Sequence, residues 1–261
     1  MNILQLPIPF ETPPGMRLPG RDEFGIPYGK NYQSFKDARQ ARWSTRSTSK
    51  GLKFNRRIEA LSQNEERPSL AFQFNPYVLD ARWQYPVYDQ RKFDQAIRAG
   101  ERMAVNSVMT IDVILTLVLP PDNQIKNHGI SIKDARDTFT EADIRRHDRE
   151  REALAERGWT WECLRGNQFS RRAYANNFEL YRSIRETNVL ALYEKAKWFS
   201  EILLRSSLNG TYGKIMARIG NRLEISVDDA HRLFAVACAF GFVTIDHSEE
   251  LRADSPLHII M

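Results

Sequence analysis

The sequence predicts an α/β core followed by a mostly helical C-terminal region, on the strength of three observations. Apolar runs rich in β-branched and aromatic residues at 78–88, 108–119 and 130–132 indicate strands. Residues 142–157 show a helical pattern of charged residues, and a further strand-like run follows it. After residue 167 the pattern becomes almost entirely helical, which favours a second structural unit.

Local residues define the ends of the core helices. Thr140 can cap the charged helix, and Gly158 can end it. Ser62 and Glu65 have the spacing of a capping box, which predicts a first core helix at this point. The expected order of core elements is therefore helix–strand–strand–strand–helix–strand.

The composition favours a protein of a reducing cytoplasm. The 261 residues carry a net charge of +5 and include two cysteines, Cys163 and Cys238, too few and too distant for a disulfide framework or a zinc-thiolate site. The N-terminal residues lack the charged-then-apolar order of a signal peptide. No apolar run approaches the ~20 residues of a membrane span, so we expect no membrane partner.

Two N-terminal segments differ sharply in composition. Residues 1–29 are rich in proline and glycine and predict an extended, weakly ordered arm, either without a role or ordered by a partner. The next segment has nine basic residues against one acid, Asp37, with aromatic residues among them. This mixture is typical of nucleic-acid contacts, although a solvated loop is the simpler alternative. The candidate DNA-binding residues are Lys30, Lys36, Arg39, Arg42, Arg46, Lys50, Lys53, Arg56 and Arg57.

Asp112 and Lys133 are the residues around which a candidate active site can be built. Asp112 interrupts the most apolar run of the chain, where an unpaired carboxylate is costly and needs a nearby cation. The next short strand ends in Lys133, and neighbouring strands lie about 4.8 Å apart, so the two side chains can share a site. A structural Asp112–Lys133 ion pair is one interpretation. The other is a metal-dependent nuclease site, in which Glu65 adds a carboxylate, Ile132 a backbone carbonyl, and Lys133 holds the attacking water.

Short motifs follow one another in a fixed order between residues 29 and 246. They are Gly29-Lys30-Asn31-Tyr32, Ser62-x-x-Glu65, Val78 to Pro86, Val108 to Asp112, Ser131 to Ala135, the charged helix up to Trp159, and Ala239 to Val243. In this order and spacing they resemble TnsA, the endonuclease subunit of heteromeric cut-and-paste transposases, including those of CRISPR-associated transposons.

The resemblance implies two domains after the arm of residues 1–29. Residues 30–175 correspond to a restriction-endonuclease-like nuclease domain of the PD-(D/E)XK class, with a basic N-terminal segment. Residues 176–261 correspond to a winged-helix-like domain. Their own pattern agrees, because amphipathic helices at 189–208 and 227–240 precede a short strand.

The resemblance also implies a chemistry and a set of partners. Glu65, Asp112 and Lys133 would be catalytic, with Mg²⁺, or Mn²⁺ in its place, bound by Glu65, Asp112 and the carbonyl of Ile132. The implied reaction is hydrolysis of phosphodiesters at the 5′ ends of the transposon during transposition. The implied partners are transposon-end DNA, a TnsB-like DDE transposase and a TnsC-like AAA+ regulator, acting on the bacterial nucleoid in the cytoplasm.

One position departs from the nuclease class. The residue two before the lysine is usually Gln or Glu, and here it is Ser131, a poorer and neutral metal ligand. This departure leaves open a catalytically weak or inactive DNA-binding subunit of the same assembly. A resolvase or restriction-type nuclease is a further alternative, but it does not explain the C-terminal region.

Overall fold

The computed structural model describes residues 1–35, 47–60 and 62–260, with only the backbone described at Gln63. Within this part of the chain it has a mixed α/β architecture, with a four-stranded central sheet and seven α-helices. The predicted fold class is confirmed at this level. None of the described helices combines the length and the apolarity that crossing a membrane requires.

The regular elements follow the predicted order. The first half contains β1 (Ser47–Lys50), β2 (Arg57–Ala60), α1 (Gln63–Gln73), β3 (Val78–Val87), α2 (Gln90–Arg98), β4 (Met109–Leu119), β5 (Gln124–Lys133), α3 (Glu141–Ala155) and β6 (Thr160–Arg165). The second half contains α4 (Arg171–Ile184), α5 (Tyr193–Leu204), α6 (Tyr212–Leu223), α7 (Val227–Phe240), β7 (Thr244–Ile245) and β8 (Ile259–Ile260). The core order α1–β3–β4–β5–α3–β6 is therefore as expected, with α2 inserted between β3 and β4.

The central sheet has the strand order β3-β4-β5-β6. The first three strands are antiparallel neighbours, and β6 lies parallel to β5. Phe72 of α1 packs in the core on one face of the sheet, and Leu154 of α3 packs in the core on the other. β5 begins at Gln124 rather than at Ile130, because its exposed first residues pair with β4 through the backbone and show no apolar pattern.

Helices α4 to α7 enclose a second core. The helices α4, α5 and α6 pack around α7, whose Phe234 is fully buried. Leu70 of α1 and Phe74, which directly follows the helix, belong to the same core, so α1 joins the sheet to the helical unit. The expected domain boundary after residue 175 falls inside α4, and the antiparallel pair β7–β8 follows the helices.

Residues 1–29 are largely irregular, as expected, but they are packed against the rest of the chain rather than weakly ordered. The Thr12 N–H donates to the Phe240 carbonyl at 2.9 Å, and the Thr12 hydroxyl donates to the Pro76 carbonyl at 2.5 Å. Ile3 is buried in the core shared by α1 and the sheet. The arm therefore contacts both the sheet and the helical unit.

A buried ion pair fastens the later part of the arm to β3. Asp22 accepts hydrogen bonds from the Arg82 guanidinium at 2.5 Å and from the Tyr85 hydroxyl at 2.6 Å. Both charged side chains are almost fully buried, and the guanidinium also lies 4.2 Å from the centroid of the Tyr28 ring. Because Arg82 has no access to water, its charge depends on Asp22 for compensation.

Replacing Asp22 with alanine should destabilise the whole chain. The change leaves the Arg82 charge buried without its acid, which typically costs about 3–5 kcal/mol of unfolding free energy. Urea unfolding followed by tryptophan fluorescence measures this loss. Glu141→Ala is the control, because it removes an exposed acid paired with Arg145 and should cost less than about 1 kcal/mol. Equally small losses for the two variants would contradict the role of the buried pair.

Candidate active site

Asp112 lies on β4 between two fully buried residues and is itself half-buried. Its Oδ2 accepts a hydrogen bond from the Ile132 N–H of β5 at 2.7 Å. Burial raises the pKa of the Asp112 carboxyl, and the nearby Glu150 charge raises it further. The Ile132 N–H, Arg146 and Lys133 lower that pKa, but less than the other effects raise it. Asp112 is thus a carboxylate whose charge is only partly compensated.

Lys133 ends β5 and lies on the face of the sheet that α3 covers. Alternate residues of a strand share a face, and Gly129, Ser131 and Lys133 all contact or closely approach α3. The Lys133 Nζ lies 3.4 Å from Asp143 Oδ1, and the lysine side chain is 19% exposed. The structure therefore brings Asp112 and Lys133 to one site, but the ammonium is ion-paired with Asp143 rather than with Asp112.

Glu150 of α3 is an acid that lies fully buried beside Asp112. Its Oε2 accepts hydrogen bonds from the Ser131 hydroxyl at 2.5 Å and from the Trp161 indole at 3.2 Å. Its Oε1 accepts a hydrogen bond from the Arg146 Nε at 2.7 Å. Three donors therefore compensate a carboxylate that burial alone would make costly.

His147 lies one turn before Glu150 on the same helix. Its ring is 6% exposed and packs beside Phe139 and Trp161, with ring centroids 5.0 and 5.3 Å away. Its Nε2 is buried and has no hydrogen-bond partner among the described residues. Burial lowers the pKa of His147 below its ordinary value of 6.5, so the imidazole is neutral at pH 7.

Sequence reasoning missed this inward face of α3. The mixture of arginine and glutamate predicted a solvated helix, and much of the helix is indeed exposed. The overlooked pattern is Asp143, His147, Glu150 and Leu154, which recur every three or four residues and so form one stripe. Because Leu154 ends this stripe and is apolar, the pattern indicates that its polar members face inward as well.

Glu65 lies in the first turn of α1 and is largely buried. Its carboxylate accepts a hydrogen bond from the Ser62 hydroxyl at 3.2 Å, while Ser62 makes no side-chain bond to the helix backbone, so the predicted capping box is not formed. The adjacent Asn64 donates to Asp134 at 3.1 Å, one residue beyond Lys133. The structure therefore places the start of α1, with Glu65, near the end of β5.

The candidate DNA-binding residues fall into three groups. Lys36, Arg39, Arg42 and Arg46 lie outside the described residues. Lys30 and Arg57 are exposed and Lys50 is half-buried, so these three remain predicted DNA contacts. Lys53 and Arg56 form the third group, which is buried.

Lys53 and Arg56 bind the chain's own core, which corrects their assignment as DNA contacts. The Lys53 ammonium donates to the carbonyls of Asn75 and Val78 at 2.8 and 3.0 Å, and burial lowers its pKa to about 7. The Arg56 guanidinium is ion-paired with Asp80 at 2.7 Å. Both cations therefore have internal partners and are not accessible to a DNA backbone.

A groove of about 1050 Å³ runs beside the site between the region of α2 and α3. Thr110, two residues before Asp112, forms part of its wall. Four arginines line the groove against two acids, Asp89 and Glu156; the arginines are Arg91, Arg146, Arg149 and Arg157. Sequence reasoning did not identify this surface, because its cations come from segments that are distant in the chain and each of mixed charge.

Replacing Asp112 with asparagine should stabilise the fold at neutral pH. Because the folded-state pKa is raised, the ionised carboxyl opposes folding above that pKa, and this cost disappears as the pH falls through the ordinary value of 3.8. Urea unfolding in EDTA should therefore show a higher unfolding free energy for Asp112→Asn than for the wild type at pH 7. The gain should shrink towards pH 4, and a loss of stability at pH 7 would contradict the expectation.

Comparison of the chain with protein-family models finds no match. Comparison with curated protein sequences finds no significant match either. The function must therefore be inferred from the residues of the site and from their surroundings.

Proposed function

We propose that this chain is a Mg²⁺-dependent DNA endonuclease of the TnsA type, which hydrolyses phosphodiesters at the 5′ ends of a transposon during cut-and-paste transposition. The observation that carries the proposal is that Asp112 bonds to the backbone N–H of Ile132, the residue before Lys133, so that both side chains lie where β4 and β5 meet, beside the arginine-lined groove. Three features suit this reaction. They are a carboxylate that can bind a metal, an ammonium that can stabilise the reacting phosphate, and a cationic surface for the DNA backbone.

The arrangement of elements supports this proposal. The order α1–β3–β4–β5–α3–β6, with three antiparallel strands and one parallel edge strand, agrees with the order expected for a restriction-endonuclease-like domain. The helices α4 to α7 followed by the pair β7–β8 agree with a winged-helix-like domain. Both finer fold assignments belong to the proposal.

The oxygen donors near Asp112 suit Mg²⁺ or Mn²⁺. In residues 1–35, 47–60 and 62–260 no three acidic, histidine or cysteine side chains converge in a way that suits a metal ion. Mg²⁺ fits such a site, because it is usually held by one or two carboxylates together with waters and substrate phosphates. Asp112 is the first ligand in this proposal, with Glu65 and the Ile132 carbonyl as the other predicted ligands. The bound ion supplies a water of lowered pKa and stabilises charge on the phosphate.

Lys133 has a separate task in the proposed reaction. Its ammonium orients the attacking water and stabilises the negative charge that develops on the phosphate. Asp143 holds the ammonium in place at 3.4 Å. Hydrogen bonds from Thr140 lower the pKa of Asp143 to about 2, so this acid stays ionised at neutral pH.

The surface offers sites for both kinds of partner. The groove arginines, with Lys30, Lys50 and Arg57, suit the backbone of transposon-end DNA. The helical unit exposes several large apolar side chains, which suit a protein partner such as a TnsC-like AAA+ regulator or a TnsB-like transposase. The three most exposed are Phe178, Leu190 and Trp198.

Asp112→Asn should abolish Mg²⁺-dependent cleavage of transposon ends in reactions that contain the partner transposase and ATPase. Lys133→Ala should lower the cleavage rate by about 10²–10³-fold, the loss typical of removing one group that stabilises transition-state charge. Gel analysis of the 5′-end products measures both effects. Asp148→Asn is the matched control, because Asp148 is a partly exposed acid of α3 paired with Arg151. Cleavage that survives Asp112→Asn would remove the nuclease proposal.

Arg91→Ala and Arg149→Ala should each weaken DNA binding. Loss of one phosphate contact reduces the slope of log K against log salt concentration by about 1. Fluorescence anisotropy with labelled duplex DNA between about 50 and 200 mM salt measures the slope. Arg252→Ala is the control, because this arginine lies outside the groove and is paired with acids. Unchanged slopes for both groove variants would place the DNA elsewhere.

A non-catalytic DNA-binding or assembly subunit is the second candidate function, and Ser131 is the observation that favours it. The serine hydroxyl is neutral and donates to Glu150, so it does not replace a carboxylate ligand on β5. This function gives salt-sensitive DNA binding without cleavage in either Mg²⁺ or Mn²⁺. Cleavage by the wild-type chain in the assay described for Asp112→Asn, and its loss in that variant, would therefore distinguish the nuclease from the non-catalytic subunit.

A further inference from the structure

Two acids approach each other where β4 and α3 meet. Asp112 accepts a hydrogen bond from the Ile132 N–H at 2.7 Å, and the fully buried Glu150 accepts one from the hydroxyl of the preceding residue, Ser131, at 2.5 Å. Like charges repel strongly where water is scarce, so a pair of this kind needs a cation. Arg146 is a cation at this place, because its Nε lies 2.7 Å from Glu150 and its charge also acts on Asp112.

We propose that Asp112 and Glu150 together hold a divalent metal ion, and that Arg146 neutralises the two acids when no metal is bound. Glu150 then becomes a metal ligand that the residue pattern did not indicate, since that pattern assigned the second carboxylate to Glu65. The inference rests on the proposed nuclease function and specifies its metal site.

The β4–β5 register explains how an acid from a helix reaches this position. The ladder ends at the pair Val113–Ile130, and directly beyond it the Asp112 side chain accepts a hydrogen bond from the Ile132 N–H, so Asp112 lies beside Ser131 and Ile132. The Ser131 hydroxyl donates to Glu150 at 2.5 Å, so the carboxylate lies directly over residue 131 of the strand. Because serine is short, it leaves room for a carboxylate that α3 supplies.

Arg146 is placed so that a metal ion can replace it beside the Glu150 carboxylate. Its side chain is 42% exposed and lines the groove, whereas the Glu150 side chain is fully buried. The guanidinium can therefore turn towards a DNA phosphate while Glu150 keeps its bonds to Ser131 and Trp161.

The buried ring of His147 provides a second, independent observation. Its Nε2 has no hydrogen-bond partner among the described residues, and the ring lies one turn before Glu150 on the inward face of α3. An unpaired polar atom at such a place indicates a pocket that takes a polar ligand, because closed cores seldom leave polar atoms without partners.

Titration of the full chain with Mn²⁺, followed by the paramagnetic resonance of the free ion, tests the inference without any cleavage reaction. Glu150→Gln should weaken Mn²⁺ binding by at least about 10-fold, as expected for loss of a group that governs a metal site. Asp148→Asn should bind Mn²⁺ as the wild type does. Circular dichroism checks that each variant is folded.

A variant that moves the carboxylate from α3 to β5 shows whether Glu150 is a metal ligand or a residue that only stabilises the fold. The double variant Ser131→Glu with Glu150→Gln should recover most of the lost Mn²⁺ affinity, and cleavage with it, because a carboxylate returns beside Asp112. A purely structural Glu150 gives no such recovery, since the new acid would only add charge to an intact core.

Arg146→Gln is a further test that does not depend on the folding of Glu150→Gln. It removes the competing cation and should tighten Mn²⁺ binding, whereas unchanged or weaker binding overturns the inference. Wild-type-like Mn²⁺ binding by folded Glu150→Gln also overturns it. If the wild type binds Mn²⁺ through Glu150 but never cleaves DNA, the nuclease proposal fails and the metal site stands.

Discussion

The close approach of α3 to β5 at Gly129 is the contact on which the candidate site depends. A Cβ atom at this position would lie 2.2 Å from the Leu154 Cδ1, which belongs to a fully buried side chain. Glycine therefore lets α3 pack closely against β5 without repacking that core. Because the helix lies this close, Asp143 contacts Lys133, and Glu150 contacts Ser131, two residues after the glycine.

Elements whose pattern is local were predictable from the sequence. The helix Val227–Phe240 matches its prediction at both ends, because Ser226 caps its start and Gly241 adopts the left-handed conformation at its end. The beginning of β5 was not predictable, since exposed polar residues join a sheet through backbone hydrogen bonds that leave no periodic pattern. Packing of the arm was equally hidden, because it depends on partners such as Arg82 that lie far along the chain.

The same distinction, between local patterns and contacts made by distant parts of the chain, applies to the candidate site. Asp112 was identifiable because an acid inside an apolar run is a local anomaly, and Lys133 because it ends the next strand. The inward face of α3 depends on how the helix docks, which composition does not reveal. Lys53 and Arg56 were misassigned for a related reason: a count of charges does not show which of them meet buried carbonyls or a buried acid.

The packed N-terminal arm has a consequence for the synthesis of the chain. Thr12 is bonded to Phe240, and Tyr193 donates to the carbonyl of Thr12 at 2.6 Å, so the arm is held by helices that are synthesised much later than the arm itself. Domains usually begin to fold as they leave the ribosome. Here the segment around Thr12 reaches its native contacts only after α7 has been synthesised, and until then it is available to chaperones and other cellular factors.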